Sequence, residues 1–365
     1  MIAASRPRLG PVVTQTRDRA GRRGSPRPAA GAFTLIETLV VVGIVGLLAA
    51  LILPAVQSSR RAAQRLACGN NIRQLALGAQ NYHSAFNVFP AATGLPDYEP
   101  GLEYREIRAF KQYSYLARIL PYIDQGPLYD GLNFLVGLQD FYVFPLGPGL
   151  TMDGHPNHTV LAARLASALC PADPGAGEPG WTGGANYRAN LGADRWPTFM
   201  PSPLDGPMMS YSYLSAAATT DGLSRTVMLS EKLRGSVRKD LHPRTVMIRA
   251  GRGLPHSVDE SVADCRSNAS ASRAFHPTAG LSWSIGTLSH TCYNHALAPN
   301  GAIPDCFMAS NPVAGLFGAR SNHPGGVMAA FADGSATFIR SGIDLRVWRA
   351  LGTRAGGEAI GEDDL

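Results

Sequence analysis

The sequence predicts an α+β protein: a long N-terminal helix, first transmembrane and then amphipathic, packed against an antiparallel β-rich globular head. Three observations predict this. Thr38 to Val56 is a run of nineteen uncharged residues. Beyond it Ile72, Leu75, Ala79, Tyr82 and Phe86 step by three and four, which lines one face of a helix. Farther on, "TVMLSEKL" (226–233) and "GVMAAFADGSATFIR" (326–340) are short apolar segments of strand character.

The first element is a basic arm. The net charge of +6 sits entirely in residues 1–32, where Arg6, Arg8, Arg17, Arg19, Arg22, Arg23 and Arg27 face only Asp18. The rest of the chain is neutral in sum, so nothing in it calls for a phosphate backbone, and no nucleic-acid partner is expected. With 365 residues the chain has room for one or two cored domains. Its 40 Gly and 27 Pro imply many turns without reaching low complexity.

The long helix comes next. At 1.5 Å per residue the uncharged run spans about 28 Å, close to the hydrocarbon thickness of a bilayer. A helix apolar all round is either deep core or a membrane span, and this run's place near the N-terminus favours the span. A cleaved secretory signal has an apolar region of about 7–15 residues ending in an Ala-x-Ala-like site. This run is longer, and Val56-Gln57-Ser58 is a poor site. Residues 33–56 therefore read as a transmembrane anchor and 57–88 as the part that packs on the head, with Phe89-Pro90 ending the helix. The Arg-rich arm keeps the N-terminus in the cytoplasm and places the body outside. Glu37 stands at the mouth of the anchor. On the residues alone, a carboxylate near a helix end can simply reach the interface.

The head covers residues 89–345. "SYLARILPYIDQGPLYDGL" (114–132) is a short apolar run, then Pro121, then an amphipathic turn; 141–160 and 171–210 read as loops. Asp333-Gly334 between two apolar runs signals a tight hairpin. Residues 346–365 hold the body of a short closing helix (Leu345 to Leu351) and a loose acidic tail with Glu358, Glu362, Asp363 and Asp364.

Motifs of catalysis are missing from the sequence. There is no G-x-S-x-G elbow, no phosphate-binding G-x-x-x-x-G-K-[ST] loop and no CxxC pair. Cys170, beside Pro171, lacks a nearby basic group to activate a thiolate. No catalytic residue, cofactor or metal is assigned, and the chain is not expected to be an enzyme. Asp153, His155 and His158 in "MDGHPNH" are metal-ligand types, but Pro156 argues against a helix presenting them, and a polar surface loop is preferred. His323 and Asp333 fall at opposite ends of one strand, about 30 Å apart at full extension, which separates them as a catalytic pair. Asp333-Gly334 makes the turn. His323 caps or hydrogen-bonds a loop, with a metal or ligand role as the alternative. Cys292 and Cys306, with thirteen residues between them, are the leading disulfide candidates. Cys68 and Cys170 pair if the head folds back on the helix, and Cys265 has no obvious mate.

Gly31-Ala32-Phe33-Thr34-Leu35-Ile36-Glu37 resembles the type IV prepilin cleavage and methylation motif. The resemblance implies that a prepilin peptidase/methyltransferase cuts between Ala32 and Phe33, removes leader 1–32 and methylates the new N-terminus at Phe33. It also implies that Glu37, residue five of the mature chain, is the assembly charge that pairs with the N-terminal ammonium of a neighbouring subunit. Ala32 stands where the motif usually has Gly, and the leader is long. Pro54 falls where pilin helices often carry a kinking proline.

The body resembles a large bacterial family of prepilin-like proteins with a domain of unknown function (DUF1559). The stretches that carry the likeness are "CGNNIRQLALGAQNYHSAFNVFP", "LARILPYIDQGPLYD", "NYRANLGA", "DGLSRTVMLSEK", "CYNHALAPNGAIPDC" and "SNHPGGVMAAFADGSATFI". The last contains the H-x9-D-G spacing of the family's processing-associated motif at His323, Asp333 and Gly334. The resemblance implies a pilin-like architecture and a structural or accessory subunit of a type IV pilus-like or type II secretion pseudopilus-like assembly. It implies other pilin-like subunits and the inner membrane as partners, with the head periplasmic or at the cell surface. Two other readings stay open. One is a tethered binding module for a solute or polysaccharide, with Trp181, Trp196, Trp283 and Trp348 as aromatic faces or core. The other is an exported hydrolase, which needs a cleft lined by Glu231, His323 or Asp333.

Overall fold

A long apolar helix obeys its sequence almost to the residue in the computed structural model, which describes residues 34–94, 112–138, 155–177, 183–194, 205–235, 244–249, 257–269, 279–307 and 314–361. Helix α1 runs Leu35–Phe86, through Pro54. The chain divides into two compact units, Met1–Ala55 and Val56–Leu365.

In the first unit the described residues are Thr34 and the opening turns of α1. Thr34 and Glu37 form a capping box: the Thr34 backbone N–H and hydroxyl both donate to Glu37 Oε2 (2.9 and 2.8 Å), and the Glu37 N–H donates back to Thr34 Oγ1 (3.3 Å). The carboxylate satisfies N-terminal donors that no preceding turn can reach. From Leu35 to Ala55 every side chain stands exposed except the partly covered Ala49. By length and composition α1 is able to cross a membrane.

In the second unit α1 becomes amphipathic. Cys68, Ile72, Leu75, Ala76, Gly78, Ala79 and Tyr82 are buried, a stripe of threes and fours. Phe86, expected in that stripe, is 56% exposed and lies against Tyr82. Gly78 allows the closest approach: a Cβ there would stand 2.5 Å from Ile123 Cγ2. Asn87 follows the helix with φ +58°, a left-handed stop.

The head is α+β with mixed sheets. A two-stranded ladder, β1 (Thr93–Gly94) and β2 (Tyr113–Ser114), leads into the short helices α2 (Tyr115–Ile119), α3 (Gly126–Asp130) and α4 (His158–Leu161). The main sheet has five strands: β3 (Tyr187–Asn190), β4 (Val227–Glu231), β6 (Cys292–Tyr293), β9 (Gly326–Phe331) and β10 (Ala336–Arg340). Their spatial order is β10-β9-β4-β3-β6. A smaller sheet pairs β5 (Met247–Arg249), β7 (Asp305–Phe307) and β8 (Gly315–Leu316), with helix α5 (Val258–Asn268) against it. The expectation of an antiparallel head holds for most pairings, but β3–β6 and β5–β7 are parallel.

Strand β9 shows how the layers form. Met328 and Ala330 belong to the core that includes Ile72, Leu75 and Ala79 of α1. Val327, Ala329 and Phe331 belong to a second core with Trp348 and Leu351, built around α6 (Leu345–Ala350). Alternation puts successive side chains on opposite faces, and both faces are covered. The whole strand is buried for that reason. The hairpin turns at Asp333-Gly334 as expected. Gly334 has φ +88°, and Asp333 Oδ1 accepts from the Ser335 N–H and hydroxyl (2.8 and 2.7 Å). The turn docks on α1, where the Gln80 amide donates to the Ala332 carbonyl and Arg65 lies 3.3 Å above the Phe338 ring.

Three expectations are corrected. The stretch 171–210, read as loop, contains β3, with all four residues buried. The Cys292–Cys306 disulfide does not form: Cys306 pairs with Cys265, Cys68 pairs with Cys170, and Cys292 is a free, buried thiol. Spacing in sequence says little about which sulfurs meet, because α5 carries Cys265 onto the small sheet. The tail expected to be loose is held over its described part. Asp221 accepts from the Gly356 and Gly357 N–H groups (2.8 and 3.0 Å), and Ile360 is buried in the second core. Glu362, Asp363 and Asp364 lie outside the described residues, as do leader 1–32 and the Ala32–Phe33 junction.

Candidate functional site

Cys68, Cys170, Glu231 and His323 come together in the interior of the second unit. Each arrives from a different part of the chain. Cys68 is on the buried face of α1. Cys170 precedes Pro171, whose carbonyl accepts from the Gln64 amide (3.1 Å). Glu231 is the last residue of β4, and His323 sits in the loop before β9.

The register of the sheet places the acid. Glu231 lies opposite Tyr187 across β3–β4, next to Ser230, which pairs with Ala329 across β4–β9. Its Oε2 accepts the Met328 backbone N–H (2.8 Å), which leaves Oε1 free to face His323 Nε2 at 3.2 Å. The same Nε2 is 3.7 Å from Cys170 Sγ. The His323 backbone is fixed by its N–H donating to Ser321 Oγ (3.1 Å). One ligand atom from each of the four residues lies within 4.8 Å of the others, and all four residues are buried. With the Cys68–Cys170 bond formed, the sulfurs are not thiolates and the Glu231–His323 pair stands beside a covalent cross-link.

A second buried polar centre begins one residue beyond Glu231, at Lys232. Lys232 is ion-paired with Asp305 and donates to the Gly318 carbonyl (2.7 Å); Arg320 Nε donates to Asp305 Oδ1 (3.3 Å). Burial pushes Lys232 down to about 7 against the pull of Asp305. Burial also raises the Asp305 carboxyl, but Lys232 and Arg320 outweigh it and hold it below its ordinary value. Every member has a partner, as a buried charge cluster requires. Cys292, with its thiol pushed up to about 12 by burial, has no nucleophilic character at neutral pH.

The structure separates several residues that the sequence put side by side. His323 joins the cluster, while Asp333, exposed, and Gly334, buried, form the turn that docks on α1, so the H-x9-D-G spacing joins an interior anchor to a hairpin turn. His155 is buried, its Nδ1 accepting the Asn157 N–H (2.9 Å), and His158 begins α4; Asp153 lies outside the described residues. Trp283 and Trp348 are core, each donating its indole N–H to a carbonyl, of Ala163 and Leu297 (both 2.9 Å). Trp181 and Trp196 lie outside the described residues. The sequence brings Glu231 and His323 together only as possible lining of a hydrolase cleft; their contact inside the core is a finding of the structure. The only signal was a lone acid ending an apolar strand segment.

Residues 57–346 match the family described as "Protein of unknown function (DUF1559)". No curated protein and no solved structure matches the chain.

Proposed function

Since the chain belongs to that DUF1559 family and carries a membrane-length helix ahead of most of the matched region, we propose that it is a membrane-anchored, prepilin-like subunit. It serves a type IV pilus-like or type II secretion pseudopilus-like assembly, as a structural or accessory component. The observation that carries this reading is the uncovered apolar surface of α1 from Leu35 to Val56, headed by the Thr34–Glu37 box. Such a surface needs lipid or the same helix of other copies around it. The Gly31–Glu37 motif supports removal of the leader by a prepilin peptidase/methyltransferase. It also supports a role for Glu37 in pairing with a neighbouring N-terminus after Thr34 is no longer its sole partner. The two disulfides support an exported head, since such bonds persist in oxidising compartments. The Arg-rich leader supports a cytoplasmic N-terminus at the inner membrane.

A structural role fits the head better than catalysis. The cluster of polar groups is buried and internally satisfied, and the described tryptophans are core and offer no stacking face for a sugar.

The test is mass analysis of the N-terminal peptide of the chain recovered from native membranes. The expected product begins at a methylated Phe33. A soluble chain cut near Val56-Gln57-Ser58, without the apolar helix, overturns the proposal. Glu37→Ala should leave the chain in the membrane but abolish its co-purification with other pilin-like subunits. Unchanged co-purification would favour a tethered binder.

A further inference from the structure

The buried cluster around His323 has the donor set of a metal centre hidden behind a disulfide. We infer that Cys68, Cys170, Glu231 and His323 form a redox-gated site for a zinc-like divalent cation, competent when the Cys68–Cys170 bond is reduced and closed when it is formed. This inference stands on the geometry of the head alone and is independent of the pilin-like role.

Two thiolates, one imidazole and one carboxylate are four ligands of the kinds that zinc takes in tetrahedral sites. Their ligand atoms already lie within 4.8 Å of one another in the folded head. Ligands around a tetrahedral zinc are roughly 3.5 Å apart, given bond lengths of about 2.0–2.3 Å. Small side-chain rotations are enough to close the cluster on one ion. His323 Nε2 already faces two of the other three groups, Cys170 Sγ and Glu231 Oε1. The carboxylate is aimed by the Met328 N–H, and the His323 backbone by Ser321, which is the outer support that metal ligands need. All four positions are filled by protein, so the centre is structural and leaves no vertex for substrate.

The chemistry balances with a dithiol reductant. The Cys68–Cys170 bond takes two electrons and two protons and becomes two thiols, while the reductant closes to its own disulfide. Binding the cation releases the two thiol protons, and the His323 ring proton resides on Nδ1, leaving Nε2 as the ligand. Cross-link and metal are mutually exclusive, and either one ties α1 to the segment at Cys170. The attachment of helix to head thus survives a change of redox state.

Cobalt(II) tests this as a coloured substitute for zinc. The full chain in detergent is reduced anaerobically with a phosphine and titrated with Co2+, and the same is done with Cys265→Ser/Cys306→Ser, in which Cys68 and Cys170 form the one remaining bridge and Cys292 is the one other thiol. Expected is one Co2+ per chain, with tetrahedral d–d bands and thiolate charge transfer, in the reduced form of both proteins and in neither oxidised form. Cys68→Ser should roughly halve the charge-transfer band and Cys68→Ser/Cys170→Ser abolish it, and His323→Gln and Glu231→Gln should each weaken binding at least tenfold; Cys292→Ser should change nothing. No tetrahedral spectrum in the reduced chain, or one indifferent to His323→Gln and Glu231→Gln, overturns the inference. A second reading covers loss of fold on reduction: Zn2+ added during oxidative refolding should slow formation of Cys68–Cys170 at least tenfold and leave Cys265–Cys306 unaffected. A Cys68–Cys170 rate that is the same with and without Zn2+ overturns it.

Discussion

Glu231 Oε1 and His323 Nε2 meet at 3.2 Å in the core, although 92 positions separate them in sequence. The same carboxylate holds the Met328 N–H, so one side chain serves both the loop before β9 and the strand itself. Glu231→Ala strands two buried donors at once and should cost about 3 kcal/mol. Glu231→Gln, which keeps an acceptor oxygen, should cost about 1 kcal/mol. Urea unfolding of the full chain in detergent, followed by near-UV circular dichroism, measures both. Equal losses for the two variants would mean that a neutral acceptor oxygen rescues nothing and that the contacts depend on the charge.

The hairpin turn depends on a backbone that only glycine adopts without strain. At Gly334 φ is +88°, and a Cβ would stand 3.3 Å from Leu77 Cδ2 on α1. Gly334→Ala should therefore destabilise the chain by about 1–2 kcal/mol, and Gly334→Val by more. Asp333→Ala removes the acceptor for Ser335 and should cost about 1 kcal/mol. A neutral Gly334→Val in the same unfolding assay would contradict the turn.

Acid should weaken the second core through one imidazole. His295 is buried and stacked on Trp348 at 3.8 Å; its Nδ1–H donates to the Trp348 carbonyl (2.6 Å), and its Nε2 accepts from the Tyr293 hydroxyl (2.8 Å). Burial pushes its pKa down to about 3. The folded value lies below the unfolded one near 6.5, so the unfolded chain takes up the proton first as pH falls. The contribution is fully present above about pH 6.5 and is lost as pH drops towards 3, at about 1.4 kcal/mol per pH unit. Comparing the pH dependence of unfolding for the natural chain and His295→Gln isolates this group: the variant should show a shallower fall across that window.

Thiol chemistry should report the connectivity directly. Alkylation of the non-reduced chain in denaturant should modify Cys292 and no other cysteine, and peptide mapping should recover Cys68 with Cys170 and Cys265 with Cys306. The two closed loops, with separations of 102 and 41 residues, should together account for several kcal/mol of stability in the chain-entropy model. Cys292→Ser should leave both bridges intact.

The elements that sequence revealed are those whose signal is local. The stripe on α1 is written in spacing, and the hairpin in the pair Asp333-Gly334. Strand β4 was legible because its segment is apolar. Strand β3 was not: Tyr187-Arg188-Ala189-Asn190 has the composition of a loop. It is buried only because partners from distant segments satisfy part of it, with Arg188 Nη1 donating to the Leu288 carbonyl (3.0 Å) and the Asn190 amide to Val227 and Gly352 (2.7 and 2.8 Å). The disulfide mates and the Glu231–His323 contact were illegible for the same reason. They follow from sheet register and from where α5 lands, which are properties of the assembled fold.

The bridge at Cys68 bears on how the chain would carry mechanical load. A pull entering along α1 from its apolar end reaches Cys68 before it reaches the final turns of the helix. Cys68 and Cys170 close a covalent ring around everything between them. Tension is therefore handed across the sulfur–sulfur bond to residue 170, and residues 69–169 are shielded from extension. Cutting that bond would let the same force peel α1 from its bed, turn by turn, from the contacts of Gln64 and Arg65 onward.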